Sequence, residues 1–106
     1  MSVTPENLAL VREGLRAALQ TGQTPDGASY QGVARSVDVP GLELAGMAST
    51  VEDVGPDGQK VTHGWFVGYG PSSNPRVAVA VFVERGRGVE DAGELAKAIL
   101  SYYLGR

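Results

Sequence analysis

The sequence contains no cysteine and only one histidine, His63. The absence of cysteine excludes a disulfide framework, a thiol nucleophile, an iron–sulfur cluster and a cysteine-based zinc site. A single histidine excludes metal sites that are built from several histidines. We therefore expect neither a metal nor a cofactor in this chain.

Long apolar runs and an excess of positive charge are also missing. No apolar run approaches the ~20 residues that a membrane-spanning helix needs, and residues 1–7 lack the basic region of a targeting segment. The 12 acidic residues outnumber the 9 basic ones. This balance favours neither nucleic-acid binding nor a polybasic membrane anchor. The 106 residues suffice for a single domain, residues 1–106. None of these features indicates the cellular compartment of the chain.

Two segments have the spacing of amphipathic helices. In the first, Thr4 can cap the helix, Pro5 suits its first turn, and Gly22 is expected to end it. The second is predicted over residues 90–104, with Gly105 as its terminator. The apolar positions of each helix fall on one face, which we expect to pack against the rest of the domain. They are Leu8, Val11, Leu15, Ala18 and Leu19 in the first helix, and Ala92, Leu95, Ala96, Ile99, Leu100 and Tyr103 in the second.

Three strands are predicted between the helices, over residues 42–54, 60–69 and 76–84. The segments 55–58 and 71–75 have turn composition, and short turns between neighbouring strands favour an antiparallel meander. Residues 23–41 lack periodicity and are expected to form a loop, with 33–37 as the only candidate strand. The predicted fold class is α+β, a three-stranded antiparallel meander flanked by an N-terminal and a C-terminal helix.

The third strand has no polar face. Four valines alternate with Ala78, Ala80 and Phe82, so side chains on both faces are apolar. Both faces are therefore expected to be covered by the two helices. From the same pattern we expect Trp65, Phe82 or both to be largely buried under a helix.

The second and third strands resemble the end of the transpeptidase domain of penicillin-binding proteins. The run His63-Gly64-Trp65-Phe66-Val67-Gly68-Tyr69-Gly70-Pro71 is similar to the family's WF(V/I)GFAP segment. Asn74-Pro75 followed by Arg76-Val77-Ala78-Val79-Ala80-Val81-Phe82-Val83-Glu84 is similar to its NP turn and IAVAVVVE strand. The resemblance implies a partial fold, because the family's sheet has five strands and its active site lies between that sheet and a helical subdomain. It also implies a parent protein that is membrane-anchored, lies outside the cytoplasm and takes part in peptidoglycan synthesis.

The resemblance assigns a degenerate substrate-binding segment to the first strand. The family carries an AGKTGTA-like segment there, and the aligned residues are Ala45-Gly46-Met47-Ala48-Ser49-Thr50-Val51. Met47 replaces the lysine, Ala48 the hydroxyl residue and Ser49 the glycine, whereas Gly46 and Thr50 keep the family identities. Methionine supplies no charge, and alanine supplies no hydrogen-bond donor for a substrate carboxylate.

The nucleophile motif of the family is missing from this chain. A transpeptidase needs Ser-x-x-Lys, in which the amine activates the serine. The only lysines are Lys60 and Lys97, and Asp57 and Glu94 stand three residues before them. Ser72-Ser73-Asn74 matches the family's Ser-x-Asn motif only as a string, because it lies in a predicted turn rather than in a helical subdomain.

These residues predict a non-catalytic C-terminal portion of a penicillin-binding-protein-like transpeptidase domain, with no catalytic residue in this chain. Two alternatives remain open: a stand-alone binding or assembly module derived from that fold, or part of an active D,D-transpeptidase. A peptidoglycan peptide or a cell-wall protein is the partner that the resemblance implies.

The third strand also predicts self-association. The resemblance leaves this strand at the edge of the sheet, and residues 77–83 contain no charge, proline or glycine that would deter pairing. Antiparallel pairing of two copies centred near Ala80 would bring Arg76 of one copy to Glu84 of the other. The predicted edge of this homodimer consists of Arg76, Val77, Val79, Ala80, Val81 and Glu84.

Overall fold

A computed structural model describes residues 3–105 of the chain. In this range, none of the helices has both the length and the apolar character needed to cross a membrane. Residues 3–105 form two α-helices, a small two-stranded sheet and a three-stranded sheet. The predicted α+β class, with a three-stranded antiparallel sheet between two helices, is confirmed.

The first helix, α1, spans Pro5–Ala17. Its N-terminus forms as predicted, because the Thr4 hydroxyl accepts a hydrogen bond from the Asn7 backbone N–H at 3.2 Å. The predicted end at Gly22 is wrong, since the helix stops at Ala17 and the chain turns back. The carbonyls of Ala18 and Gln20 then accept hydrogen bonds from the backbone N–H groups of residues 34 and 32.

The predicted loop over residues 23–41 contains regular structure. Strands β1 (Thr21–Gln23) and β2 (Ser29–Gln31) form an antiparallel hairpin, and a 3₁₀ turn follows at Arg35–Val37 in place of the predicted strand. The hairpin turn is closed by the Asp26 carboxylate, which accepts hydrogen bonds from the Thr24 hydroxyl and the Ala28 N–H. These hydrogen bonds lower the pKa of Asp26, the Thr24 contribution being the largest.

The main sheet contains β3 (Ala45–Val54), β4 (Lys60–Gly70) and β5 (Val77–Val83) in that order. Neighbouring strands are antiparallel, so the predicted meander is confirmed. The register places Trp65 of β4 between Ser49 of β3 and Phe82 of β5. Both β3 and β5 are edge strands of this sheet.

One face of the main sheet, which we call the closed face, carries the core. A π-helical turn at Gly88–Gly93 leads into helix α2 (Glu94–Leu104), and both pack on this face. Phe66 of β4 is fully buried there and is the largest buried side chain. The rest of the buried cluster consists of Leu19, Ala34, Val37, Leu44, Ala92, Ala96 and Leu100.

The opposite face, which we call the open face, carries Met47, Trp65, Val67, Ala80 and Phe82 and is largely uncovered. Helix α1 contributes no buried residue and reaches only one end of this face, where it forms a cleft over β4 and β5. The expectation that helices cover both faces is therefore wrong.

The predicted burial of Trp65 and Phe82 is also wrong, since they are 43% and 48% exposed. The alternation of residues correctly assigns side chains to the two faces of the sheet. It does not tell which element, if any, covers each face. Among the described residues, only α1 covers part of the open face, and it does not reach Trp65 or Phe82.

Candidate functional site

The segment that the resemblance assigns as a degenerate substrate-binding segment, residues 45–51, begins the edge strand β3 and is called the degenerate segment below. Its side chains alternate, so that Met47 and Ser49 point to the open face while Gly46, Ala48 and Thr50 point to the closed face. The five predicted substrate-binding residues therefore do not form one surface. Only two of them are placed to meet a ligand on the open face.

Gly46 has a packing role. A Cβ atom at this position would lie 2.5 Å from the Val67 carbonyl oxygen and 2.9 Å from Cζ of Phe66. Both neighbours are fixed, one by the β3–β4 ladder and the other by complete burial. The glycine is needed for the close approach of β3 to the core, and Ala48 packs against the same core.

Thr50 is exposed but lies on the closed-face side of β3, and its hydroxyl accepts a hydrogen bond from the Gly88 backbone N–H at 2.9 Å. Gly88 lies directly on the β3 backbone, since a Cβ there would be 2.6 Å from the Ser49 carbonyl oxygen. This contact joins β3 to the start of the π-helical turn. Sequence reasoning missed it, although a glycine pair flanking Arg87 between a strand and a helix is a signal for close backbone approach.

The two residues that point to the open face, Met47 and Ser49, provide no charged group for binding a substrate carboxylate. Met47 is 56% exposed and lies opposite Val67, and Ser49 lies opposite Trp65. Neither lysine can take the place of the missing ammonium group. Lys97 donates to the Ser36 carbonyl on the other side of the sheet. Lys60 pairs with Val54, which is about 23 Å along β3 from Met47 at the usual strand rise.

An arginine does approach the start of β3, but its hydrogen bonds are already made. Nη1 of Arg16 donates to the Asp38 carboxylate at 2.7 Å and to the Leu44 carbonyl at 2.6 Å. Both partners lie before the degenerate segment, so this guanidinium anchors α1 to the chain entering β3.

The Ser72-Ser73-Asn74 string lies in the β4–β5 turn, as predicted. Ser72 donates its backbone N–H to the Glu43 carbonyl, and the Ser73 hydroxyl lies 3.4 Å from the Glu43 carboxylate. A carboxylate at that distance accepts a hydrogen bond from the hydroxyl, and no basic amine accompanies it in this contact. The geometry fits a turn and does not resemble an activated nucleophile.

His63 holds the end of the sheet together. Its Nδ1 accepts a hydrogen bond from the Arg85 backbone N–H at 3.0 Å, and its ring lies 5.7 Å from that of Phe82. Nε2 is 4.0 Å from a carboxylate oxygen of Asp53. In the described part of the chain, no three potential metal-ligating side chains cluster around it or anywhere else.

Comparison with known proteins identifies the family. Residues 1–101 match the family model for the penicillin binding protein transpeptidase domain. The chain is 27% identical over 112 aligned residues to the peptidoglycan D,D-transpeptidase MrdA of Acinetobacter baumannii, covering 95% of this chain and 15% of that protein. It is 42% identical over 43 residues to MrdA of Haemophilus influenzae, covering 40% of this chain and 7% of that protein. The chain thus belongs to the penicillin-binding protein transpeptidase family.

Solved structures agree with this assignment. Penicillin-binding protein 3 of Mycobacterium tuberculosis superposes with a TM-score of 0.76 at 27% identity, covering 98% of this chain and 25% of that one. Penicillin-binding protein 2B of Streptococcus pneumoniae shares the fold with a TM-score of 0.74 at 24% identity, covering 96% of this chain and 16% of that one. The chain spans a quarter or less of each of these relatives.

Proposed function

We propose that this chain is a non-catalytic C-terminal portion of a transpeptidase-like domain, in a protein that takes part in peptidoglycan synthesis outside the cytoplasmic membrane. The main support for this proposal is the family segment on β3, in which Met47, Ala48 and Ser49 replace the lysine, hydroxyl and glycine residues. The family assignment and the D,D-transpeptidase names of the relatives support the link to peptidoglycan.

The absence of catalysis follows from what acyl transfer requires. A serine hydroxyl is a weak nucleophile until a nearby base removes its proton, which in this family is the task of an amine. Neither Lys60 nor Lys97 stands three residues after a serine, and Lys97 is engaged with a backbone carbonyl. The charge that would attract a substrate carboxylate is also missing at Met47.

The retained residues support a structural role for β3. Gly46 lets the strand approach Phe66, and Thr50 accepts the hydrogen bond from Gly88. Both preserve the position of β3 in the fold and do not depend on a ligand. We therefore propose that this part of the domain keeps its scaffold, while the side chains that handle substrate have changed.

Exposure to benzylpenicillin followed by intact-mass spectrometry tests the proposal. We expect no covalent adduct on the chain, because its sequence contains no Ser-x-x-Lys motif to activate a serine. The triple variant Met47→Lys, Ala48→Thr, Ser49→Gly restores the family segment and should also remain unacylated, since catalytic residues act as a unit. An adduct on any serine of either protein would contradict the proposal.

Part of an active D,D-transpeptidase is the second candidate. It is favoured by the match of 95% of this chain to MrdA of A. baumannii, which is named a peptidoglycan D,D-transpeptidase. Labelling of the full polypeptide by a fluorescent penicillin, lost when the serine that carries the label is replaced by alanine, would support this candidate. No labelling of the folded full polypeptide would favour a binding or assembly module with a peptidoglycan peptide or a cell-wall protein as its partner.

A further inference from the structure

A cleft with a volume of about 790 Å³ lies between α1 and the β1–β2 hairpin, and we call it the α1–hairpin cleft. Small-molecule sites usually have volumes of about 300–1,000 Å³. Helix α1 forms one wall and is about 18 Å long from Pro5 to Ala17. The hairpin forms the other wall, and the β4–β5 turn adds Ser72 and Ser73. The lining includes no residue of the degenerate segment.

The charges that line the α1–hairpin cleft are balanced. Arg12 and Glu13 are adjacent on α1, and their opposite charges cancel. Arg16 also lines the cleft, but its Nη1 already donates hydrogen bonds to the Asp38 carboxylate and the Leu44 carbonyl. Because no net charge remains to attract an ion, the cleft suits a neutral ligand better than an anion or a cation.

Several polar side chains of the cleft have no partner within residues 3–105. They differ from Thr24, whose hydroxyl hydrogen-bonds the Asp26 carboxylate. The side chains without a hydrogen bond or ion pair include those of Gln20, Gln23, Tyr30 and Ser72. Gln20 and Tyr30 are also partly buried, which limits their access to water. Together these amides and hydroxyls supply both donors and acceptors, as a ligand with several hydroxyl groups requires.

The aromatic ring of Tyr30 is held against the hairpin. Tyr30 lies opposite Gly22 in the β1–β2 register. A Cβ atom at Gly22 would lie 2.9 Å from the Tyr30 hydroxyl oxygen and 3.0 Å from the ring carbons Cε1 and Cζ. The glycine therefore leaves the room that the ring needs to lie across β1. A ring fixed in this way provides a flat apolar surface beside free hydrogen-bonding groups.

We propose that the α1–hairpin cleft binds a neutral, extended oligosaccharide. A sugar ring has apolar C–H groups on its faces and hydroxyl groups around its rim. Tyr30 would contact such a C–H face, while Gln20, Gln23 and Ser72 would hydrogen-bond the groups at the rim. The length of α1 provides a straight wall for several sugar units in a row.

The glycan strands of peptidoglycan are neutral along much of their length and extended, so they are a source of such a ligand. Naming them as the source rests on the function proposed above, whereas the oligosaccharide site itself rests on the lining of the cleft. The two parts of the inference can therefore fail separately.

Isothermal titration calorimetry of the full chain with tetra-N-acetylchitotetraose tests the oligosaccharide site. We expect saturable binding, and Tyr30→Ala should raise the dissociation constant about tenfold because it removes the flat apolar surface. Tyr30→Phe keeps the ring and should raise the dissociation constant only about twofold to threefold. Tyr103→Ala removes an exposed tyrosine of α2, outside the cleft, and should have no effect.

A second variant and a salt series keep the test decisive if Tyr30→Ala fails to fold by circular dichroism. Gln20→Ala should raise the dissociation constant about threefold, because it removes a donor and an acceptor from the cleft. Gln59→Ala, in the β3–β4 turn, is the matched control and should have no effect. The dissociation constant should change less than about twofold between about 0.05 and about 0.5 M NaCl, since the ligand is neutral.

Three results would overturn the oligosaccharide site. They are no binding by the unaltered chain, binding that neither Tyr30→Ala nor Gln20→Ala weakens, and binding by this chain that the full polypeptide lacks. Co-sedimentation of the full polypeptide with purified peptidoglycan tests the source, and Tyr30→Ala should reduce the sedimented fraction. If the chain binds chitotetraose but the full polypeptide does not sediment with peptidoglycan, the link to peptidoglycan is contradicted and the oligosaccharide site is kept.

Discussion

At the residue scale, the two phenylalanines of the main sheet differ in burial, and we expect them to differ in their contribution to stability. Phe66 is fully buried between the sheet and α2, whereas Phe82 is 48% exposed on the open face. Phe82 does contact an aromatic neighbour, since its ring centroid lies 4.7 Å from that of Trp65. The alternation of β4 and β5 places these two phenylalanines on opposite faces, and the closed face is the one with a core.

Replacing each phenylalanine by alanine should therefore give unequal losses. We expect Phe66→Ala to reduce the free energy of unfolding by about 3–5 kcal/mol, because it leaves a cavity in the core. Phe82→Ala should cost about 1 kcal/mol, mostly from the lost contact with Trp65. Urea denaturation of both variants at a low protein concentration measures the difference. Equal losses would mean that the open face is covered in solution.

At the element scale, the π-helical turn contacts β3, and the spacing of residues in the sequence does not predict this contact. Gly88 and Thr50 are 38 residues apart, and the N–H···O bond between them joins the start of the last helical segment to β3. Strand and turn approach so closely that the glycine Cα lies against the backbone of Ser49. The position of α2 on the sheet depends on this approach.

A methyl group at residue 88 should disturb the contact. The Cβ atom would lie 2.6 Å from the Ser49 carbonyl oxygen and 2.8 Å from its backbone nitrogen. Because backbone atoms cannot move aside cheaply, we expect Gly88→Ala to cost about 1–3 kcal/mol of unfolding free energy. Gly14→Ala in α1 is the matched control, since a Cβ there has nothing within 4 Å, and it should stabilise by about 0.5–1 kcal/mol. Thermal melts that rank the two variants in the opposite order would contradict this account.

Elements with strong local signals were predictable, and those that depend on distant partners were not. Alternating apolar residues and turn sequences indicated the β3-β4-β5 meander, and the 3.6-residue period indicated α2. The β1–β2 hairpin was missed because its strands have three residues each and no apolar alternation. Its turn, Thr24-Pro25-Asp26-Gly27, has the Pro-Asp-Gly composition that is typical of a tight turn.

The sequence predicts which residues form the candidate site, but it predicts only part of how their side chains are arranged. The replacement at Met47 is visible in the sequence, and its exposure follows from the alternation of β3. The contacts of Gly46 and Thr50 depend on Phe66 and Gly88, which lie 20 and 38 residues further along the chain. A strand pattern identifies two faces and gives no information about what lies on each.

At the scale of the whole molecule, the uneven covering of the sheet has a spectroscopic consequence. Trp65 is the sole tryptophan and lies on the open face at 43% exposure. We expect acrylamide to quench its fluorescence in the folded chain at a rate within about a factor of three of that in urea, because quenching follows access to the ring. Strong protection of Trp65 in the folded chain would show that another element covers the open face.

The meander also determines how the chain must search for its structure. Each strand of the main sheet pairs with its neighbour in sequence, through connections of only residues 55–59 and 71–76. Closing such short loops costs little conformational entropy, and topologies rich in local contacts form quickly. The Thr50–Gly88 contact joins residues that are farther apart in sequence, and it requires the β3–β4 hairpin, because Gly88 lies on a surface that β3 and β4 form together. We therefore expect the strand that carries the altered family segment to form early, and the helix that buries Phe66 to pack against it afterwards.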